Sequence, residues 1–575
     1  MSSPPLGTPP PEVPPPGATT PPAPLPPVAP PGGRAPLPPV APPVGPAPPR
    51  RRRWPWVVGG LGALLVLGLL LAVGLAVGWV VPWLFDDPYE VSDWADANPH
   101  RAGRDISTLP LLERHPCPFA LEPGAEGVQC ATLVVPADRT TVSSDPGPHD
   151  LVELGVAILP ARGSGPVRPD PVVYLEGGPG GASVAWFDLW TMEGWPSDRD
   201  RDLILLDQRG TGYSTPSLGC DDVFRAEPDE EVDALRACHD AWVAAGIDLT
   251  TVSTPAHAAD VADLRVALGI DEWNLYGVSY GSRVALRVLS DHPEGVRSVV
   301  LDSVYPPEVE ALLEEVANGV AAFDAVFDAC AAAPACAAAN GDLAATFAGL
   351  IASFDREPVD LGDDLPPVTG DDVVAASYAA LYDPELLADL PARLTAAAED
   401  PMAIGDLLDA VWWGHPPYRR DGLPVTVPAF EDSDGTFYSV ECREEAASVD
   451  AADVLRRSRV IDHPAAPALT RTIEFTLDLC ADWRSGRADP RERDRVVSDV
   501  PTLLLAGALD PVTPPTYAER AAAGLTAGQL VVFPAAGHAV VAAGDCPRRL
   551  VGAFLAAPDA PVDVACSQMY GPFDG

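Results

Sequence analysis

The chain has 575 residues with 82 acidic and 37 basic side chains, a formal net charge of −45 and no lysine at all. That length exceeds one ordinary core, so two or more folded units are expected. The acidity argues against nucleic acid or an anionic membrane surface as a partner of the soluble part.

Residues 1–53 are dominated by Pro, Ala, Gly and Val, and APLPPVAPP occurs twice, at Ala23–Pro31 and Ala35–Pro43. Such a segment cannot bury a core and is expected to be a disordered tail leaning to polyproline II. It would serve as a solvated spacer or as a docking site for a Pro-binding domain. Arg50–Arg53 follow, and then an apolar run, 54–85, with no charge from Trp56 to Leu84. The run is long enough for one spanning helix. Trp54, Trp56, Trp79 and Trp83 at its ends match an interfacial belt. A cleavable signal peptide has a shorter apolar region, so the run reads as an uncleaved signal anchor in the lipid bilayer. The Arg cluster before it predicts a cytoplasmic N-terminus and an extracytoplasmic remainder. All ten cysteines lie after the anchor and none has C-x-x-C spacing. Zinc and thioredoxin-type readings are therefore poor, and up to five disulfides formed in an oxidising compartment are expected. Connectivity is not fixed by sequence; sequential neighbours would close the shortest loops.

Residues 86–116 read as a polar stalk. Cys117–Val135 and Leu151–Leu159 read as opening strands, and Pro171–Leu175 as a buried strand running into Glu176-Gly177-Gly178-Pro179-Gly180-Gly181. This loop lacks the phosphate-loop pattern and any lysine. Glycines instead let the main chain approach a reacting carbonyl and aim an N–H at developing negative charge. Gly178 is the expected donor, with Gly177 as the alternative. Asp202–Asp207 is the next strand, closing in a loop whose Arg209 is expected to pair locally. Thr254-Pro255 offers an N-cap and an N1 proline for a helix that stops at Gly269.

Trp273–Tyr276 reads as a strand, Gly277-Val278-Ser279-Tyr280-Gly281 fits G-x-S-x-G, and Ser282–Leu289 reads as a helix. Strand, tight turn and helix in that order form a nucleophile elbow, which lifts the serine Oγ above the sheet edge. The second oxyanion donor is then the main-chain N–H of Tyr280. Val296–Leu301 is another strand. From about Pro306, for roughly 190 residues, helical spacing replaces the α/β alternation, which returns at Pro501–Gly507 and Gln529–Phe533. One parallel sheet interrupted by an inserted helical cap accounts for this order, with the site at the carboxyl ends of the strands.

A serine hydroxyl needs a base, and the base needs an orienting acid, in the chain order Ser, acid, His. His538, in a loop after the strand ending at Phe533, is the chosen base. Asp510, just past strand Leu503–Gly507, is the chosen acid, with Asp302 as competitor. No metal cluster or dinucleotide fingerprint is present in the sequence, so no cofactor is expected.

Taken together, LEGGPGG at Leu175–Gly181, LLDQRGTGYS at Leu205–Ser214, GVSYGS at Gly277–Ser282, AGALDPVTP at Ala506–Pro514 and GHAV at Gly537–Val540 resemble the α/β-hydrolase family of proline iminopeptidases and tripeptidyl aminopeptidases. Many relatives carry His where this chain has Glu176. The resemblance implies an exopeptidase acting on peptides with a free N-terminus, whose ammonium is received by cap glutamates. Ser439–Glu445, SVECREE, is similar to a cap segment of the tripeptidyl group. It makes Glu441, Glu444 and Glu445 candidates, with Glu444 first; Trp412-Trp413 would line the pocket or fill the cap core.

The resulting organisation is a tail (1–53), an anchor (54–85), a stalk (86–116), a hydrolase core in two parts (117–305 and 500–575) and a helical cap (306–499). The expected activity is an aminopeptidase working through an acyl-enzyme on Ser279. The alternative is an ester hydrolase with the same triad.

Overall fold

In the computed structural model the described residues are 109–573, other than 120, 122–124, 126, 141–146, 148, 163–164, 186–199, 222, 224–229, 363–365, 414–432 and 570. The tail, the anchor and most of the stalk lie outside them.

Nine strands form one sheet among the described residues: β1 (Leu111–His115), β2 (Gln129–Pro136), β3 (Leu151–Leu159), β4 (Val172–Leu175), β5 (Leu203–Leu206), β6 (Trp273–Val278), β7 (Val296–Asp302), β8 (Thr502–Gly507) and β9 (Gly528–Phe533). Their spatial order is β1-β2-β3-β5-β4-β6-β7-β8-β9. The first three strands pair antiparallel and β3 meets β5 antiparallel; every pair from β5 through β4 to β9 is parallel. The order turns back at β4, so the ends of β4 and β6 lie side by side, where open sheets place their sites.

The central strands are apolar without alternation because both faces are covered. Val173, Leu175, Leu275, Leu301 and Leu504 bury against α2 (Thr254–Leu268) and α3 (Tyr280–Asp291), which follow α1 (Glu231–Ala245). Val172, Tyr174, Tyr276, Val300 and Leu503 bury on the opposite face, with Leu550, Val551 and Phe554. The two-residue period of side-chain direction does the sorting.

Between β7 and β8 come α4 (Ala311–Ala332), α5 (Pro334–Asn340), α6 (Leu343–Arg356), α7 (Gly370–Ala379), α8 (Pro384–Glu399), α9 (Ile404–Leu408), α10 (Asp434–Glu444), α11 (Ala451–Ser458) and α12 (Ala466–Cys480); α13 (Pro515–Ala522) and α14 (Asp545–Ala556) follow β8 and β9. Phe323, Phe327, Phe347, Phe354 and Leu390 build a core of the cap's own. The stretch Pro334–Arg356 is long and apolar enough to cross a membrane by composition. Leu343, Phe347, Leu350, Ile351 and Phe354 from it are nevertheless buried inside this cap core. Helix α10 differs from its neighbours, since Val440 and Cys442 pack into the hydrolase core.

The five disulfides join sequential neighbours: Cys117–Cys130, Cys220–Cys238, Cys330–Cys336, Cys442–Cys480 and Cys546–Cys566. The longest loop, 38 residues, ties α10 to α12.

Two local readings need correction. Helix α2 does stop at Gly269, in the left-handed region at φ +67° with its N–H returned to the last turn. Thr254, however, is the first helical residue and not the cap. Ser253 holds the cap position without a side-chain bond, and the carboxylate of Glu444 takes the Thr254 N–H. Arg209 does not pair locally. It reaches Asp260 on α2 through Nε (2.6 Å) and Nη2 (2.9 Å) and donates to the carbonyls of Pro136 and Ala137.

Candidate active site

Ser279 sits between β6 and α3 at φ +55°, ψ −124°. A non-glycine residue there carries strain of about 1–3 kcal/mol, which only a rigid surrounding can hold. The surrounding is steric. A Cβ on Gly281 would overlap the carbonyl of Leu175 at the end of β4, and one on Gly277 would overlap Gly281. A Cβ on Gly177 would come within 2.9 Å of the Ser279 Cβ. The glycine loop after β4 therefore lies directly against the serine.

Within that loop the two glycines differ. The Gly177 N–H donates to the Glu176 carboxylate at 2.8 Å. Gly178 has φ +101°, and among the described residues no acceptor takes its N–H. The loop is held from below: Gln208 Nε2 donates to the Glu176 carbonyl at 2.9 Å, and buried Asp207 accepts the N–H groups of Val184 and Tyr213, each at 2.8 Å. Burial pushes the Asp207 carboxyl up to about 7 against those donors.

The Asp510 carboxylate is divided between two tasks. Oδ1 accepts the N–H of Val512 (2.9 Å) and of Thr513 (2.8 Å), while Oδ2 accepts the Thr513 hydroxyl (2.7 Å) and lies 2.9 Å from His538 Nδ1. Both side chains are buried. Burial alone lowers the imidazole, yet the charge and hydrogen bond of Asp510 hold His538 above its usual value. Burial likewise opposes the Asp510 anion, and His538 holds it below the usual carboxylate range.

Asp302 joins the serine to the histidine. Its carbonyl accepts the Ser279 N–H at 2.9 Å. Its carboxylate accepts the N–H of Val540 (2.8 Å), the N–H of Val541 (2.9 Å) and the Tyr276 hydroxyl (3.0 Å), and Ser303 Oγ accepts the Ala539 N–H at 2.8 Å. Asp302 thus holds the histidine loop over the end of β7, beside the elbow, while Asp510 contacts the imidazole. From the cap, the Leu381 carbonyl accepts the His538 N–H at 3.1 Å, and the half-exposed Tyr382 ring lies 4.7 Å from the imidazole centroid.

The three cap glutamates have different surroundings. Glu444 is buried and accepts Thr254 N–H (2.8 Å) and Thr254 Oγ1 (2.7 Å). Glu445 lies 2.7 Å from Arg283 and 3.4 Å from Arg493. Glu441 is only partly buried and has no hydrogen-bond or ion-pair partner among the described residues. Burial, then the charges of Glu445 and Glu315, push its carboxyl up to about 8. Glu315 on α4 is itself pushed up to about 7 by burial, and its charge is also felt at Tyr382. Glu315 and Tyr382 were not singled out from sequence, since neither sits in a motif. Trp412 lies on the turn Asp409–Trp413, and its side chain falls outside the described residues.

An elbow serine and a buried His–Asp pair at the end of a mostly parallel sheet, with cap residues against the histidine, define an α/β hydrolase. A family model for the α/β-hydrolase fold matches residues 170–359 and one for TAP-like proteins matches residues 466–566. The chain is 27% identical to serine protease Hip1 of Mycobacterium tuberculosis over 472 residues, covering 75% of this chain and 85% of that one. It is 31% identical to a proline iminopeptidase of Xylella fastidiosa over 135 residues (24% and 32% of the two chains). It is 27% identical to a tripeptidyl aminopeptidase of Streptomyces coelicolor over 198 residues (31% and 36%). These matches support an α/β-hydrolase serine peptidase whose relatives include proteins named proline iminopeptidase and tripeptidyl aminopeptidase.

Proposed function

We propose that this chain is a membrane-anchored, extracytoplasmic aminopeptidase that removes residues from the free N-terminus of short peptides. The observation that supports it most is the carboxylate of Glu441, which has no partner among the described residues and feels the charge of Glu315 in the cap. Removing a carboxylate even partly from water without a counter-ion is costly, and a substrate ammonium would supply the missing charge. Glu441 takes that role here in preference to Glu444 and Glu445, which are already engaged. The five disulfides fit an extracytoplasmic folded part, and the apolar run 54–85 would anchor it in the bilayer with the Pro-rich tail on the cytoplasmic side.

Ser279 Oγ attacks the scissile carbonyl while His538 Nε2 takes its proton. The N–H groups of Gly178 and Tyr280 receive the oxyanion. Asp510 stabilises the imidazolium and keeps its proton on Nδ1. The imidazolium protonates the departing amine, and a water activated by the same nitrogen hydrolyses the acyl-enzyme.

The test is a panel of aminoacyl and tripeptidyl anilides, N-blocked anilides and short acyl esters, turned over by the full-length protein in detergent. Unblocked anilides are expected to be the preferred substrates. Equal turnover of blocked and free anilides would remove ammonium recognition, and ester-only turnover would establish an ester hydrolase. Ser279→Ala should lose both turnover and fluorophosphonate labelling.

Glu441→Gln separates binding from chemistry. Losing one charge-assisted contact is expected to raise KM for unblocked anilides by roughly 10- to 100-fold and to leave short acyl esters, which carry no ammonium, almost unaffected. An equal loss on both substrate classes would speak against the assignment.

A further inference from the structure

Helix α10 is tied to the catalytic loops at both ends. Near its start, the Ser433 N–H donates to the Gly180 carbonyl at 3.0 Å and Thr436 Oγ1 donates to the Arg209 carbonyl at 2.9 Å. At its end, Glu444 enters a buried chain of side chains under the elbow. Thr254 Oγ1 donates to Glu444 Oε2 and lies 2.9 Å from the Tyr280 hydroxyl, which lies 3.0 Å from His257 Nδ1. All four residues are buried.

The proton count gives this chain one direction. An ionised carboxylate only accepts, so Thr254 gives it its single hydroxyl proton. Thr254 Oγ1 must then accept from Tyr280. The Tyr280 hydroxyl has spent its own proton and must accept from His257 Nδ1–H. Burial, with Arg209 and Arg139 adding to it and Asp260 opposing, lowers the His257 imidazole to about 3. The ring is therefore neutral, and its proton sits on Nδ1. Its Nε2 is buried without a partner among the described residues, which suits a bare ring nitrogen better than an N–H. Burial leaves the Glu444 carboxyl raised on balance, while Arg283, Thr254 and Arg443 oppose; the guanidinium groups of Arg443 at 3.4 Å and Arg283 at 3.9 Å favour the anion.

We infer that Glu444 is a positioning residue for the oxyanion hole: from the cap, through Thr254, it orients the side chain of Tyr280 and so the main-chain N–H beside Ser279. The inference rests on the proposed role of Tyr280 as an oxyanion donor. A residue that only capped α2 would need the bonds to Thr254 but not the continuation to Tyr280 and His257.

The experiment is Glu444→Gln in the full-length protein. Gln keeps the acceptor for the Thr254 N–H but turns an NH₂ toward Thr254 Oγ1. The chain must then reverse, and the His257 proton must move to Nε2. In ¹⁵N-histidine NMR one neutral imidazole, identified by its absence in His257→Gln, is expected to change tautomer. In the same variant kcat should fall roughly tenfold with KM changed by less than about twofold, the pattern of an interaction used only in the transition state. Tyr280→Phe cuts the chain at its centre and should lose a comparable factor, and the double variant should be no worse than Tyr280→Phe alone.

An unchanged kcat in either single variant overturns the inference, as does an unchanged tautomer. A raised KM at constant kcat would return Glu444 to substrate binding. Failure of the underlying reading looks different: Ser279→Ala would still label with fluorophosphonate, whereas failure of the inference alone leaves labelling dependent on Ser279.

Discussion

Asp510→Asn is expected to lower kcat by about 10⁴-fold while leaving the fold intact. Oδ1 is saturated by the N–H groups of Val512 and Thr513, so the Asn oxygen takes that position and its NH₂ faces His538 Nδ1. The imidazole must then carry its proton on Nε2, the nitrogen that should accept from Ser279. The pH profile gives an independent reading. His538 works as a base only when neutral, and its pKa is held above 6.5. In the wild type, kcat/KM should therefore fall as pH drops through a value above 6.5. With Asn the largest raising charge is gone while burial remains, opposed only by Asp302 and Glu176, so the residual activity should show this limb at lower pH. An unchanged limb with full turnover would mean that Asp510 is not the orienting acid.

Asp302→Ala should be the most destabilising single change in the site. The carboxylate is fully buried and takes three donors, the N–H groups of Val540 and Val541 and the Tyr276 hydroxyl. Removing it strands all three, at a cost of about 3–5 kcal/mol in unfolding free energy. The histidine loop also loses its tie to the residue whose carbonyl holds Ser279. A displacement of that kind should lower kcat by about 10²-fold or more. Asp302→Asn keeps one acceptor and should recover part of both losses. Denaturant melts and anilide turnover measured together check this. Wild-type stability in Asp302→Ala would show that Ser303 and Leu381 hold the loop without it.

The geometry also explains why Asp302 and Asp510 compete in the sequence. Each ends or follows a parallel strand on the way to His538, and each is buried beside the histidine loop. They part only in what they touch: Asp302 holds main-chain N–H groups just after His538, whereas Asp510 meets the ring. Composition and spacing carry no trace of that difference.

The elbow was legible for a local reason. Gly277 is needed because the Cβ it lacks would overlap Gly281, so that part of the steric demand is written within a few consecutive residues, whereas Gly281 is required by Leu175 at the end of β4. The Gly269 stop was legible on similar grounds, and the disulfides follow the shortest-loop expectation although the sequence did not fix their connectivity. Two readings shifted where a distant partner intervened. Thr254 looks like a cap until a carboxylate 190 residues further on takes its N–H. Arg209 looks locally paired until α2 brings Asp260 to it. The same Glu444, the first choice among the cap glutamates by resemblance, is the residue that holds Thr254.

What the sequence determined by itself is the chemistry and its order along the chain: a strained serine between strand and helix, an acid and a histidine after later strands, and a helical insertion between. Periodicity and sterics act over a few residues, so they survive in the linear text. What only the tertiary structure decided is which charges meet. Several glutamates of one cap are equivalent as letters. They become a partner of the α2 start, an ion-pair partner and a carboxylate with no partner among the described residues only once α10 has packed onto the core, because a charge takes its role from whatever donors the fold brings within about 3 Å.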